Sequence, residues 1–291
     1  MKKSKKADLH LHTDSSDGLL SPQELFEKIK KVGLTAVAVT DHDSVAAIDQ
    51  FKRRAEMAAI KVVPAVELSG EFEGLDIHIL GYFIKHHNKQ FLDYLYLFQR
   101  RRYQRAQEMV EKFEKLGVTI SIDRVSHFAR NGPIGRPHIA DALVENGIVR
   151  SRNEAFKKYL NNDGPVYVEK YKITASEVIE LIHSIGGAAF IAHPGISCED
   201  EIIHKLAAEG LDGIEVVHPK HSSQTQTRLK NLAKNLSLLE CGGSDYHGYP
   251  ERDKDLGNYT IPYEYVERIE QHCEDTREEW GYHEEESEAE K

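Results

Sequence analysis

Cysteine is scarce in this chain of 291 residues: Cys198, Cys241 and Cys273 are all there is, and no two stand at a paired spacing. That excludes a disulfide framework and a thiolate zinc site. It points to a reducing compartment and leaves the three as small buried apolar residues. Positive charge is also short. Lys and Arg number 38 against 48 Asp and Glu, a formal net charge of -10, so duplex nucleic acid is not an expected partner. A phosphate-bearing partner would have to meet a local positive site, which metal ions can supply. Long apolar runs are absent too. No stretch approaches membrane-spanning length, and the basic start Met1-Lys2-Lys3-Ser4-Lys5-Lys6 is not followed by the apolar core of a signal peptide. A cytoplasmic protein with no membrane partner is expected.

Histidine is plentiful, with sixteen that do not form a terminal tag. The first cluster is Asp8-Leu9-His10-Leu11-His12, followed by Thr13-Asp14-Ser15-Ser16-Asp17-Gly18. Alternation in a strand sends the leucines to one face and both imidazoles to the other. Two histidines on one face can grip a metal ion, and neutral imidazole suits Zn, Mn, Fe or Ni. The bland alternative is an edge strand whose polar face carries histidine.

Ser21-Pro22-Gln23-Glu24 reads as a capping box that opens a helix stopped by Gly33. Thr35 to Thr40 reads as a buried parallel strand ending in Asp41-His42-Asp43, after which Ser44 caps a helix to about Ala59. Strands follow from Lys61 to Glu67 and from Asp76 to Phe83, the second carrying His78. Ligand-type residues thus recur at strand ends, where α/β sheets and barrels hold their sites. Singly, His42 also fits a solvated turn, Glu67 a helix cap and His78 a core position.

From Asn88 to about Pro165 the alternation gives way to helices: a long one to Gly117, rich in arginine (Arg100, Arg101, Arg102, Arg105), then Ile122–Ala129, Pro137–Glu145 and Arg152–Leu160. Before the third comes Asn131-Gly132-Pro133-Ile134-Gly135-Arg136-Pro137-His138. A helix starting at Pro137 offers free N–H groups beside Arg136, which makes an anion site or, equally, a plain loop with a solvated arginine. Alternation then resumes with a capping box at Thr174-Ala175-Ser176-Glu177. Strands follow at Ala188–Ala192 (then His193-Pro194), Asp212–Val217 (Glu215 and His218 near its end) and Ser237–Glu240. The last delivers Cys241-Gly242-Gly243-Ser244-Asp245-Tyr246-His247. The expected divisions are 1–87, an insertion or cap at 88–165, 166–275, and an acidic tail at 276–291 that includes Glu284-Glu285-Glu286.

Asp8 to His12, Thr40-Asp41-His42, His193-Pro194 and Ser244 to His247 together resemble the four motifs of the PHP (polymerase and histidinol phosphatase) family. Glu67 and His78 fall where that family keeps ligands, and the likeness spans roughly residues 7 to 262. The resemblance implies a distorted seven-stranded (β/α) barrel, an α/β fold with a helical insertion and a site for three divalent metals, manganese first, iron or zinc otherwise. By position, His10, His12, Glu67 and Asp245 would hold one ion. Asp17, His42 and His247 would hold a second, and Glu67, His78 and His193 a third, with Glu67 bridging. Glu67, Asp17 and Asp245 would hold the attacking metal-bridging hydroxide. Three divalent ions outweigh three carboxylates, so such a site wants an anion.

Within the family the insertion and Gly135-Arg136-Pro137-His138 look most like bacterial 3',5'-nucleoside bisphosphate phosphatases and 5'→3' exoribonucleases. Arg136 and His138 would then bind substrate phosphate, although such enzymes more often carry threonine where Pro137 stands. The expected partner is a small phosphate ester or a short oligonucleotide. Histidinol-phosphate phosphatase shares the metals but need not share the insertion. A polymerase module lacks the rest of its polymerase, and an amidohydrolase would bridge its metals with a modified lysine where Glu67 stands. A non-catalytic metal-binding module would close its coordination.

Overall fold

Short runs of small and branched apolar residues suit strands buried on both faces, and they form the centre of the computed structural model, which describes residues 5–130, 132–171 and 173–279. In chain order, β1 (Lys6–Leu11), α1 (Pro22–Val32), β2 (Ala36–Val39), α2 (Ile48–Ala55) and β3 (Lys61–Phe72) make two strand–helix–strand units with parallel pairing. β4 (Leu75–Tyr82) then turns back. The helical block comprises α3 (Lys89–Lys115), α4 (Ile122–Ala129), α5 (Arg136–Glu145) and α6 (Arg152–Ala155), the last continued as a π-turn, Phe156–Leu160. α7 (Ala175–Ser184), β5 (Ala188–Ile191), α8 (Pro194–Ser197), α9 (Asp200–Ala208), β6 (Gly213–Val217), α10 (Ser223–Asn235) and β7 (Leu239–Gly242) resume the alternation. β8 (Ile261–Pro262) and α11 (Tyr263–Glu279) end the described chain.

The sheet order is β7-β6-β5-β4-β3-β2-β1-β8. It closes on itself where His12 N–H donates to the Tyr246 carbonyl at 3.0 Å and Leu11 bridges Tyr246 in parallel. The result is a nearly closed barrel, as the family likeness implies, with the two-residue β8 as an eighth strand antiparallel to β1. The enclosed space is filled by small and large residues from the strands, among them Ala38, Ala65, Tyr82, Phe190 and Cys241, together with Val266 and Ile269 of α11. The helices pack outside on the opposite strand faces. Residues of the helical block, from Ala106 to Val166, bury a separate apolar cluster. No described helix is long and apolar enough to cross a membrane.

Both capping boxes form. Ser21 Oγ accepts the Glu24 N–H at 3.3 Å and Thr174 Oγ1 accepts that of Glu177 at 3.2 Å, each glutamate reaching back to its cap. Other readings need correction. Ser44 does not cap α2; Asp43 takes a left-handed turn (φ 48°), and the helix starts only at Ile48, with Ala47 as its cap, and ends at Ala55. β3 continues well past Glu67, because Glu73 and Gly74, both at positive φ, make a two-residue hairpin turn that pairs it antiparallel with β4. α5 starts at Arg136 rather than Pro137, with extended Gly135 in the cap position. The tail reading from 276 is also early: α11 continues to Glu279, held as Val266, Ile269 and Cys273 bury and Arg277 Nε donates to the Gly186 carbonyl at 2.8 Å. The rest of the acidic tail, 280–291, lies outside the described residues.

Candidate metal centre

Leu9 and Leu11 do not share a face. Leu9 packs among the barrel interior residues, whereas Leu11 packs outward with Leu25 and Val37. The register of β1 against β2 shifts between Asp8 and Leu11, and an irregularity of this kind re-aims side chains. Both imidazoles therefore still end up in the site. The next loop, Thr13 to Gly18, is pinned by buried Asp41. Its carboxylate accepts the Thr13 N–H at 2.7 Å, the Thr13 hydroxyl at 2.6 Å and the Ser16 hydroxyl at 2.6 Å. That clamp presents Asp17. On the far side, Gly243 passes so close that an added Cβ would lie 2.4 Å from His10 N. Only glycine lets this segment carry Asp245 and His247 inward.

The nine ligand-type residues converge, and Glu67 is their centre. Its Oε2 lies 3.1 Å from His10 Nε2, 3.2 Å from His12 Nε2 and 3.4 Å from His42 Nδ1. Its Oε1 lies 2.8 Å from His78 Nδ1 and 3.3 Å from His193 Nε2. His78 sits early in β4, and because β4 runs backwards its start lies at the end where the parallel strands finish. Asp245 Oδ1 is 3.4 Å from His12 Nε2 and 3.5 Å from His10 Nε2, and Asp17 Oδ1 is 3.2 Å from His247 Nε2. His193 (φ 36°) and Asp245 (φ 48°) both hold left-handed backbone, which costs on the order of 1–3 kcal/mol and collects at functional sites.

Five imidazoles facing one carboxylate exceed what its roughly four lone-pair positions can accept. Among the described residues both ring nitrogens of His12, His42 Nδ1 and Asp17 Oδ1 are buried and make no hydrogen bond. The protonation pattern points the same way. Burial opposes charge on His12, yet the carboxylates of Asp245 and Glu67, 3.4 and 3.2 Å from its Nε2, lift its pKa to about 10, while burial drives His42 down to about 3. Burial opposes ionisation of Asp17 and Glu67 too, but the surrounding imidazoles hold both well below the usual carboxylate range. The ionised carboxylates demand positive charge at the centre, which the protein alone can supply only as a proton on a ring. Divalent ions supply the same charge and occupy the idle nitrogens, so the residues fit them.

Three overlapping groups have ligand atoms within 4.8 Å of one another: His12, Asp17, His42 and His247; His10, His12 and Glu67; His42, Glu67 and His78. The groups differ from the partition that the family likeness implies: His12 and His42 each fall in two of them, and Asp245 and His193 fall in none.

Sequence reading placed Glu215 and His218 near a strand end but gave them no part in orienting these side chains. Glu215 Oε1 lies 2.8 Å from His10 Nδ1 and its Oε2 accepts the His193 N–H at 2.7 Å, so one buried carboxylate fixes two ligands. His218 Nε2 lies 3.3 Å from Asp245 Oδ2. Their signal was the position of Glu215 and His218 at a strand end. Glu215→Gln is expected to weaken metal affinity roughly 10–100-fold, as loss of a ligand's hydrogen-bonded support does. Titration of the apoprotein with Mn²⁺ or Zn²⁺ measures this, and unchanged affinity would remove Glu215 from that role.

Arg136 and His138 are placed differently from each other. Arg136 lines a cavity of about 190 Å³ with Asp17, His42 and His78. Its Nη1 donates to the Leu160 carbonyl and to Asn162 Oδ1, at 3.0 and 2.9 Å. His138 is buried, its Nδ1 accepts the Gly135 N–H at 3.0 Å, and it borders a different cavity. The Gly135 N–H at the start of α5 is therefore taken up within the helix's own first turn. Arg102, Arg105 and Lys170 join Arg136 around the smaller cavity, and of these only the arginines of α3 stood out in the sequence.

The PHP domain family matches residues 8–260. The chain is 34% identical over 247 residues to the 5'-3' exoribonuclease Rnm of Escherichia coli, covering 82% of this chain and 84% of that one. It is 29% identical over 257 residues to the 3',5'-nucleoside bisphosphate phosphatase of Chromobacterium violaceum, covering 86% and 90%. Among solved structures, a Bifidobacterium adolescentis protein described as a metal-dependent phosphoesterase superposes with a TM-score of 0.82 at 31% identity, over 90% of this chain and 94% of that one. A Chromobacterium violaceum protein named an amidohydrolase, with bound sulfate and no metal, gives 0.81 at 27% identity over 93% and 96%. The family match spans most of the chain, relatives at 34% and 29% identity cover more than four-fifths of it, and this protein belongs to the PHP domain family.

Proposed function

We propose that this chain is a metal-dependent phosphoesterase whose substrate carries a second phosphate: a 3',5'-nucleoside bisphosphate or the 5' end of a short RNA. The observation that carries the reading is the small cavity beside the ligand cluster, where Arg102, Arg105, Arg136 and Lys170 face one carboxylate, Asp17. Arg105 is lowered to about 10, by burial first and then by the neighbouring Arg136 and Arg102. Its Nη2 is buried and makes no hydrogen bond among the described residues. Cations crowded at this cost are stabilised by an anion. The relatives named as exoribonuclease and bisphosphate phosphatase, and the sulfate held by a structural relative, support the same reading.

His10, His12, Glu67 and Asp245, then Asp17, His42 and His247, then His78 and His193 with Glu67, would hold three ions, manganese in the first instance and iron or zinc otherwise. When bound, the ions would make water a nucleophile at neutral pH and offset charge on the scissile phosphate. The protein's part is preorganisation. Asp43 accepts from Arg102 Nε at 2.7 Å, Ser69 accepts from its Nη2 at 3.3 Å, and Asp76 pairs with Lys170 at 3.0 Å. These groups stand oriented before substrate arrives, which is where electrostatic catalysis gains most. We take 88–165 as the insertion that selects substrate, and a reducing cytoplasm as the compartment, in keeping with the free cysteines.

The test is hydrolysis of 3',5'-adenosine bisphosphate, 5'-phosphorylated oligoribonucleotide, AMP and histidinol phosphate by the Mn²⁺-loaded protein. The bisphosphate or the oligonucleotide is expected to be the better substrate by at least about tenfold in kcat/KM, one charge-assisted contact's worth. Preference for histidinol phosphate would overturn the substrate assignment, and metal binding without hydrolysis of any ester would favour a binding module.

A further inference from the structure

A second, larger cavity of about 680 Å³ meets the first at Asp17, which lines both. Its size is that of a small-ligand pocket, and its chemistry is the opposite of its neighbour's. The smaller cavity sets four cations against one carboxylate. The larger sets two cations, Arg130 and Arg152, against three carboxylates, Asp17, Asp141 and Glu251. Both of its arginines are paired, Arg130 with Asp14 and Arg152 with Asp141, whereas in the smaller cavity Arg102 pairs with Asp43 and Lys170 with Asp76 but Arg105 and Arg136 make no ion pair among the described residues. A phosphate has no reason to enter it.

What this cavity offers is flat surface. Phe128 on α4 and Tyr249 after β7 both line it, as do Leu19 and Arg152. The Arg152 guanidinium lies 4.6 Å from the Tyr249 ring centroid, and Tyr249 stands nearly parallel to the ligand-type residue His247, at 16° with centroids 6.1 Å apart. Aromatic rings and guanidinium planes are the surfaces on which bases stack. The wall is also shared between the two parts of the fold: Phe128 and Arg152 come from the helical block, Leu19 and Tyr249 from barrel loops. That junction is tight. A Cβ on Gly132, just beyond α4, would lie 2.6 Å from the Ser15 carbonyl in the Asp17 loop, so α4 and the metal-site loop are held in register.

We infer that this cavity is a nucleobase pocket, with Phe128 and Tyr249 as stacking surfaces, so that the substrate spans Asp17 with its second phosphate on one side and its base on the other. The inference rests on the phosphoesterase reading and adds the residues that make it specific for nucleotides. Arg152, fixed by Asp141, lends its plane rather than its charge. Asn153 and Ser151 add polar groups to the lining.

The experiment uses the metal-loaded full chain and two substrates: 3',5'-adenosine bisphosphate, and the same sugar bisphosphate with hydrogen in place of the base. The variants are Phe128→Leu, which keeps apolar volume in a helix that packs on the block's core, and Tyr249→Leu, with bound metal measured for both because Tyr249 lies near His247. Each variant is expected to lower kcat/KM on the nucleotide roughly 5–100-fold, mainly through KM, as loss of one stacking partner does, and to leave the baseless substrate within about twofold. Equal losses on both substrates at unchanged metal content, or no loss on either, would overturn the pocket. If the wild type cleaves neither compound, the phosphoesterase reading itself fails. Calorimetric binding of AMP to wild type and Phe128→Leu then decides the pocket alone: equal affinities would refute it, and weakened binding in the variant would uphold it.

Discussion

Glu67→Gln is expected to lower turnover by about 10³-fold or more and to remove at least one metal ion per chain, with the barrel still folded. The substitution keeps the shape of the side chain and removes its charge. Five imidazole nitrogens lie within 3.4 Å of the two oxygens of this one carboxylate. A bridging carboxylate can neutralise and hold two cations at once, whereas an amide presents one weak oxygen and an NH₂ that repels them. Loss of a preorganised charge at the reacting centre costs a factor of 10² to 10³ even for a single hydrogen-bond donor, and a shared ligand should cost no less. Folding should survive, because the barrel is held by its apolar interior and outer helix layers rather than by this residue. Elemental analysis, steady-state kinetics at saturating Mn²⁺ and a thermal melt together check this. Near-wild-type turnover with a full metal complement would remove Glu67 from the centre. Asp17→Asn should follow the same course, since its Oδ1 is buried, makes no hydrogen bond and lies 3.2 Å from His247 Nε2.

How much of this site was legible in the chain follows from how such sites are built. A ligand must sit at a strand end and point inward, so polar residues interrupt or follow short apolar runs, and His10, His12, His42, His193, Asp245 and His247 stand out for that reason. Glu67 was legible as a strand-end residue although the strand does not end there. Its turn is Glu73-Gly74, a weaker hairpin signal than Asn-Gly or Asp-Gly, so β4 was legible as a strand but its antiparallel direction was not. The register shift in β1 was invisible because Asp-Leu-His-Leu-His alternates perfectly as text. The clamp residues Asp41 and Glu215 carry no local pattern that distinguishes a supporting carboxylate from a ligand. Of the arginines of α3, Arg102 and Arg105 reach the small cavity, but which of the four do so depends on how that helix packs. Lys170 lies in an irregular segment and had no signal at all.

The insertion's contribution should be largest at Arg136. Arg136→Ala is expected to lower kcat/KM for 3',5'-adenosine bisphosphate by one to two powers of ten, the worth of one charge-assisted contact of about 1.5–3 kcal/mol. A generic aryl phosphate without a second anionic group should lose much less, because the metal cluster alone can hold a single scissile phosphate but cannot read what is attached to it. Arg136→Lys should recover part of the loss, since it keeps the charge and loses the planar fork. The stability of the free protein should not follow the activity. Arg136 is depressed by burial, and Arg105 is depressed in part by Arg136 itself, so removing Arg136 relieves like-charge crowding in the substrate-free cavity. The hydrogen bonds from its Nη1 to Leu160 and Asn162 are lost at the same time, so the melting temperature should move little while nucleotide turnover falls. Equal losses on both substrates would put Arg136 at the scissile phosphate. A large fall in melting temperature with no selective loss would make it a tie between α5 and the π-turn, and selection would then have to come from Arg102, Arg105 and Lys170.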